Sequence, residues 1–116
     1  IDIFDKLIRK EIPSNVVYED DFVFAFRDIA PVAPTHILII PKNKDGLTGV
    51  SKAEERHEQI LGKMIVAASK IAKQEGLGNG YRLVINDGEH AGQTVFHIHL
   101  HLLGGKEFTW PPGTSL

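Results

Sequence analysis

Apolar positions along this chain recur with two periods, one helical and one extended, and the change of period marks out its elements. Residues 2–9, DIFDKLIR, place Ile3, Phe4, Leu7 and Ile8 at helical spacing, with Asp2 able to cap the first turn. Pro13 ends this short element. VVYED (16–20) predicts a strand, Asp20-Asp21 a turn and FVFAF (22–26) a second strand, together a hairpin. The prolines of DIAPVAP (28–34) make that stretch irregular. HILIIP (36–41) is a continuous apolar run, as a buried third strand requires. KNKDGLTGV (42–50) is a loop. Ser51 and Glu54 have the spacing of a capping box and predict the start of the one long helix. Ile60, Leu61, Met64, Ile65, Ala68, Ile71 and Ala72 then form one stripe, and Gly76, Gly78 and Gly80 end the helix. YRLVIN (81–86) predicts the fourth strand, DGEHAGQT (87–94) a loop and VFHIHLHLL (95–103) the fifth strand. The order gives an α+β fold: a five-stranded, mostly antiparallel sheet with one long helix and one short N-terminal helix.

Length and composition narrow the class. The chain has 116 residues, which suits a single domain over 1–116. Hydrophobic residues make up 42%, enough for a real core, so disorder is not expected. The net charge of −2 lacks the basic excess of a nucleic-acid binder, so no nucleic-acid partner is expected. The absence of cysteine removes disulfides, thiolate catalysis and cysteine zinc sites together, and suits a reducing compartment. No apolar run approaches the ~18 residues of a membrane span, and no signal peptide is evident. The expectation is a soluble intracellular domain, cytoplasmic with the nucleus also open.

The fifth strand carries the candidate chemistry. Successive side chains of a strand point to opposite faces, so Val95, His97, His99, His101 and Leu103 share one side. Phe96, Ile98, Leu100 and Leu102 share the other and predict a complete apolar face on the core. The three imidazoles are thus expected in a row on an open flank. A lone strand histidine is ordinary; three in strict alternation ask for a reason. A metal site is one reading, but strand geometry sets His97 and His101 about 13 Å apart at the backbone. A shared ion would need one neighbouring pair plus a ligand from elsewhere, with His36, His57, His90 and several carboxylates available. Nucleophilic catalysis is the other reading. Imidazole is mostly neutral at pH 7, neighbouring rings resist further protonation, and a neutral ring can attack phosphorus without an obligatory metal.

The residues also match a known pattern. His97-Ile98-His99-Leu100-His101-Leu102-Leu103 follows the histidine-triad signature. IFDKLIRKEIP, FAFRDIAPVAPTHILIIPK, GYRLVINDG, AGQTVFHIHLHLLGG and WPPG extend the likeness over nearly the whole chain, which resembles the histidine-triad nucleotide-binding proteins. The glycine pair after the triad and the tail beginning at Trp110 point to the purine nucleoside phosphoramidase branch.

The resemblance implies a homodimer in which two five-stranded sheets join into a ten-stranded one. It implies that His99 is the nucleophile on the α-phosphorus, supported by His97, His101 and His36, the fourth histidine of the family site. It assigns Asp28 to the ribose, whose adjacent hydroxyls suit a carboxylate. Phe4, Phe26, Ile29 and Leu38 are assigned to the base, although each, Leu38 above all, reads equally as core. Asn86 and Gly92-Gln93-Thr94 are assigned to the phosphate, with backbone N–H groups and a hydroxyl as donors. Thr94 stands where many animal members carry serine; it keeps the hydroxyl and adds a methyl that restricts χ1. Trp110 belongs to a tail near the substrate or the dimer contact. His57 and His90 match no functional position and read as surface. The implied activity is hydrolysis of purine nucleoside 5′-phosphoramidates through a nucleotide on His99, with AMP- or GMP-type ligands and neither metal nor cofactor required. The alternative is a nucleotide-binding adaptor whose catalysis is incidental.

Overall fold

Alternation within two neighbouring strands decides the architecture. In the computed structural model, which describes residues 1–113, β2 (Val23–Arg27) pairs antiparallel with β3 (Thr35–Pro41). Val23, Ala25, Ile37 and Ile39 face one way and join a core cluster with Ile98, Leu100 and Leu102. Phe24, Phe26, Leu38 and Ile40 face the other way and pack with Phe4 and Leu7. Both faces of these strands are therefore covered, which is why ILIIP (37–41) is apolar at every position.

The sheet is completed by β1 (Val16–Glu19), β4 (Tyr81–Val84) and β5 (Leu100–Gly104), in the order β1-β2-β3-β5-β4 with every pair antiparallel. The long helix α2 (Glu58–Gln74) covers the first face through Met64, Ala67, Ala68, Ile71 and Ala72. The short helix α1 (Ile3–Ile8) covers the second through Phe4 and Leu7. Asp2 caps α1 as its sequence suggests, in a reciprocal box with Asp5. The α+β fold with five antiparallel strands and two helices is as read from the sequence. Positions 114–116 of the expected domain lie outside the described residues. Among the described residues no helix is long and apolar enough to cross a membrane.

Several details differ from the sequence reading. The capping box before α2 sits three positions later, between Glu54 and His57. Ser51 instead gives its backbone N–H and hydroxyl to Asp87, 36 residues away, inside a short 3₁₀ turn. His57 is buried, not on the surface: Nδ1 accepts the Glu54 N–H at 3.0 Å and Nε2 donates to the Asp45 carbonyl at 2.9 Å. With both ring nitrogens bonded, an imidazole can be buried without an orphaned polar atom. His90 is exposed. Along α2, Ile65 is 47% exposed and Ala67 takes its place on the buried stripe.

The fifth strand begins at Leu100, later than its alternation suggests. Residues 95–99 leave the ladder because their polar backbone groups bond elsewhere: Ile98 N–H donates to Leu47 O at 2.9 Å, and Val95 O accepts from Gln93 Nε2 at 3.0 Å. Phe96 consequently turns outward and is 52% exposed, so the apolar face is Ile98, Leu100 and Leu102 alone.

Candidate active site

The histidine row lies on the α1 side of the sheet, and α1 changes its exposure. His97 and His99 are buried, as is His36 on β3, so the row is not an open flank. The Phe4 ring stands edge-on to His97 and His99, with centroids 5.7 and 5.1 Å away. Only one side of the row opens to solvent, through a cleft of about 460 Å³. Phe4, Phe26, Asp28, Ile29, Leu38, Asn86, Gly92, Thr94, His99 and His101 line it. A larger hollow of about 610 Å³ at Gly76–Gly80 and Gly105–Glu107 contains no histidine.

Four positions of the sequence reading lie off the cleft wall. His97 sits beneath it, with Nε2 2.9 Å from Pro41 O and Nδ1 3.2 Å from Asp2 Oδ2. Both partners are acceptors, each facing one ring nitrogen. Asp2 answers this arrangement. Its burial favours the neutral acid, but the Asp5 N–H, His97 and Lys44 outweigh that and hold its carboxyl below the ordinary value. His36 stands behind the cleft wall, reaching it through His101 and Asp28. Gln93 is buried and fully used: Oε1 accepts Gly88 N–H, and Nε2 donates to Thr48 O and Val95 O. Trp110 is 83% exposed and does not line the cleft.

The backbone at Gly92 and Gln93, expected to meet a phosphate, also differs. Gly92 adopts φ +85°, which suits glycine. Its N–H donates to Glu89 O, and Gln93 N–H donates to Gly88 O, so neither is free for an anion. Asn86, Thr94 and His101 remain as polar side chains of the cleft. The reading from sequence missed Ile3, Leu7, Ile12, Pro13, Ser14, Arg27 and Val95 on the wall; the Arg27 guanidinium is held there by Glu75. Ile3 and Leu7 could have been placed there, since they stand four apart on the α1 face that carries Phe4.

Hydrogen bonds fix the proton positions of the histidine rings. His99 Nδ1 lies 2.8 Å from the carbonyl oxygen of His97, which can only accept. In its neutral form His99 therefore carries its proton on Nδ1 and keeps a lone pair on Nε2. His36 and His101 form a pair, with Nε2 and Nδ1 2.9 Å apart. Burial is the main cause that lowers both from the ordinary histidine value. His101, next to two other imidazoles, is pushed down to about 4. Asp28, whose Oδ2 is 3.5 Å from His36 Nε2, opposes the shift without cancelling it. The site thus presents one bare imidazole nitrogen, a neutral histidine pair and a carboxylate around an apolar cleft.

Residues 9–108 match the HIT domain family. The chain belongs to that family.

Other HIT proteins resemble it closely. The 14 kDa zinc-binding protein of Zea mays is 68% identical over 111 residues, 96% of this chain and 87% of the maize protein. The adenylylsulfatase HINT1 of Arabidopsis thaliana is 64% identical, over 96% of this chain and 76% of its own length. The crystal structure of a HIT family hydrolase from Legionella pneumophila superposes with a TM-score of 0.93 at 47% identity, covering 97% of this chain and all of the other.

The maize protein's name raises zinc, and the donor sets of this HIT domain can be tested for it. Asp28, His36 and His101 each offer a ligand atom within 4.8 Å of the others. A zinc-bound imidazole normally donates its other N–H to an acceptor. His36 Nδ1 faces the Val32 N–H instead, at 3.2 Å, so ligation through Nε2 would set two donors against each other. Asp2, Asp5 and His97 form the other group among the described residues. There the Lys44 ammonium already sits 3.2 Å from Asp2 Oδ2, and the two carboxylates cap each other's backbone. Neither set fits a zinc ion as it stands.

Proposed function

We propose that this HIT protein hydrolyses purine nucleoside 5′-phosphoramidates, AMP linked to an amine being the type substrate. The observation that carries the reading is the His99–His97 hydrogen bond, which leaves Nε2 of a cleft-lining imidazole as a free nucleophile. Nε2 bonds to the α-phosphorus, the P–N bond breaks, and the leaving nitrogen takes a proton from solvent water, which the later hydrolysis step returns, and departs as the free amine. The His97 carbonyl then faces an N–H made more acidic by the new N–P bond, a charge-assisted contact. Water adds to phosphorus, the P–Nε2 bond breaks, and AMP is released.

The remaining residues take matching roles. Asp28 receives the ribose hydroxyls, with Oδ1 already ordered by the Ala30 N–H at 2.8 Å. Phe4, Phe26, Ile29 and Leu38 hold the base, and Asn86, Thr94 and His101 hold phosphoryl oxygens. The Arabidopsis relative's name, adenylylsulfatase, supports an adenylyl group as the retained half of the substrate. The protein acts as a homodimer in this reading. Edge strand β4 exposes Tyr81 and Leu83, and α2 exposes Ile65 and Val66, apolar surface that suits a second copy. Light scattering at a dimer mass is the expected result, and a monomer at working concentration removes that part.

Rapid quenching during turnover of an AMP-amine, followed by mass spectrometry, is expected to find AMP on His99. His99→Ala is expected to abolish turnover. An active, folded His99→Ala enzyme would end the proposal.

A further inference from the structure

The direction of the His36–His101 hydrogen bond is set by a group outside the histidine motif. Val32 lies on the loop between β2 and β3, with a side chain 72% exposed and no place in the core. Its backbone N–H donates to His36 Nδ1 at 3.2 Å. A backbone amide can only donate, so His36 Nδ1 must be the acceptor and the neutral ring carries its proton on Nε2. That proton points to His101 Nδ1, 2.9 Å away, which is thereby made an acceptor in turn. Neutral His101 then has its proton on Nε2. This nitrogen is buried and is the side-chain polar atom without a hydrogen-bond partner among the described residues. His101 lines the cleft.

We infer that the Val32 backbone N–H is a positioning group that fixes the tautomers of His36 and His101 and so makes His101 Nε2–H a standing donor for a phosphoryl oxygen. The opposite tautomer chain would set His36 Nδ1–H against the Val32 amide and aim a bare His101 nitrogen at an anion. Val32 is held for this task. Pro31 and Pro34 restrict the loop on either side of it. Asp28 N–H donates to His36 O at 3.0 Å, and Asp28 Oδ1 accepts Ala30 N–H, closing the loop's near end. The groups facing the pair are His99 from the segment before β5 and Asp28 from the loop just after β2. The Asp28 carboxylate accepts and so favours the same Nε2 proton on His36. No proton leaves the pair in this arrangement; His101 stabilises charge by hydrogen bonding.

The phosphoryl ligand rests on the function proposed above, whereas the tautomers do not. The test therefore begins on the free protein, with imidazole nitrogen NMR of isotope-labelled histidines assigned by single substitutions. His36 and His101 are both expected as the Nε2–H tautomer. Val32→Pro removes the amide hydrogen, and an amide-to-ester exchange at Val32 does so with the side chain kept, should the proline variant not fold. Either change is expected to produce a tautomer mixture, whereas Val32→Ala, which keeps the amide, retains the wild-type spectrum. In the ester protein, affinity for AMP is expected to fall about tenfold or more relative to adenosine, which has no phosphate. A His36 Nδ1–H resonance in the wild-type protein overturns the inference, as does an ester protein with wild-type tautomers. Wild-type tautomers of the expected kind with no turnover of any AMP-amine would sink the proposed function and leave this inference standing.

Discussion

His99 donates its Nδ1 proton to the backbone carbonyl of His97, not to a side chain, over 2.8 Å. The residue two positions before His99 orients its ring through a group that every amino acid carries. The His97 ring has a separate task, tying Asp2 at the start of α1 to Pro41 at the end of β3. His97→Ala should therefore keep the His99 tautomer while losing a buried, doubly bonded ring. A stability loss of about 2–4 kcal/mol is expected. Denaturant titration alongside turnover checks this: the variant should be weak but active. A folded His97→Ala protein as inert as His99→Ala would give the ring a direct part in the chemistry.

Acid should weaken the fold through the histidine pair. His101 is lowered to about 4 and His36 is lowered in the same direction, by burial first in each case. The unfolded chain binds these protons near pH 6.5, before the native one does. Stability from the neutral pair is therefore complete above that value and is lost as pH falls toward about 4. Urea midpoints across that window should drop in the wild-type protein. His101→Gln should flatten the slope, and an unaltered slope would show that other groups dominate.

Replacement of Asp28 by asparagine should change sugar selection. The amide retains one acceptor oxygen but turns an NH₂ toward the cleft or the Ala30 N–H. Preference for ribonucleotides over deoxyribonucleotides should fall by roughly five- to thirtyfold, the worth of about one or two hydrogen bonds. Paired kcat/KM values measure it, and equal discrimination in both proteins would remove Asp28 from the ribose.

Gln93 joins three stretches of chain by bonding Gly88 N–H, Thr48 O and Val95 O. Gln93→Ala leaves all three partly buried groups without this partner. A loss of about 2–4 kcal/mol is expected, with faster hydrogen exchange at the Gly88 amide. KM should rise more than kcat falls, because the loop carrying Thr94 loosens while His99 stays in place.

Much of this arrangement can be read in the one-dimensional pattern. Val23 and Ala25 against Phe24 and Phe26 announce two covered faces, and His99 and His101 stand on the side opposite Leu100 and Leu102. What stays hidden depends on partners distant in sequence. Alternation continues through Phe96, yet the Ile98 amide goes to Leu47 and the strand starts late. His57 looks like a surface residue among charges until Asp45 is folded over it. Gln93 reads as an anion ligand because its neighbours do, and only the closed loop shows its amide consumed. The Val32 contact has no side-chain signature, since any residue but proline supplies the same N–H.

Pro34 packs on Gly105, where an added Cβ would come within 2.9 Å of the proline Cβ at φ +87°. Gly105 follows β5, away from the cleft lined by His99 and His101, and bears no functional group of its own. Even a methyl there would lift the far anchor of the Asp28–Pro34 loop. The injury would surface as poor sugar choice and a misdirected imidazole proton, symptoms that point to everything except the glycine that caused them.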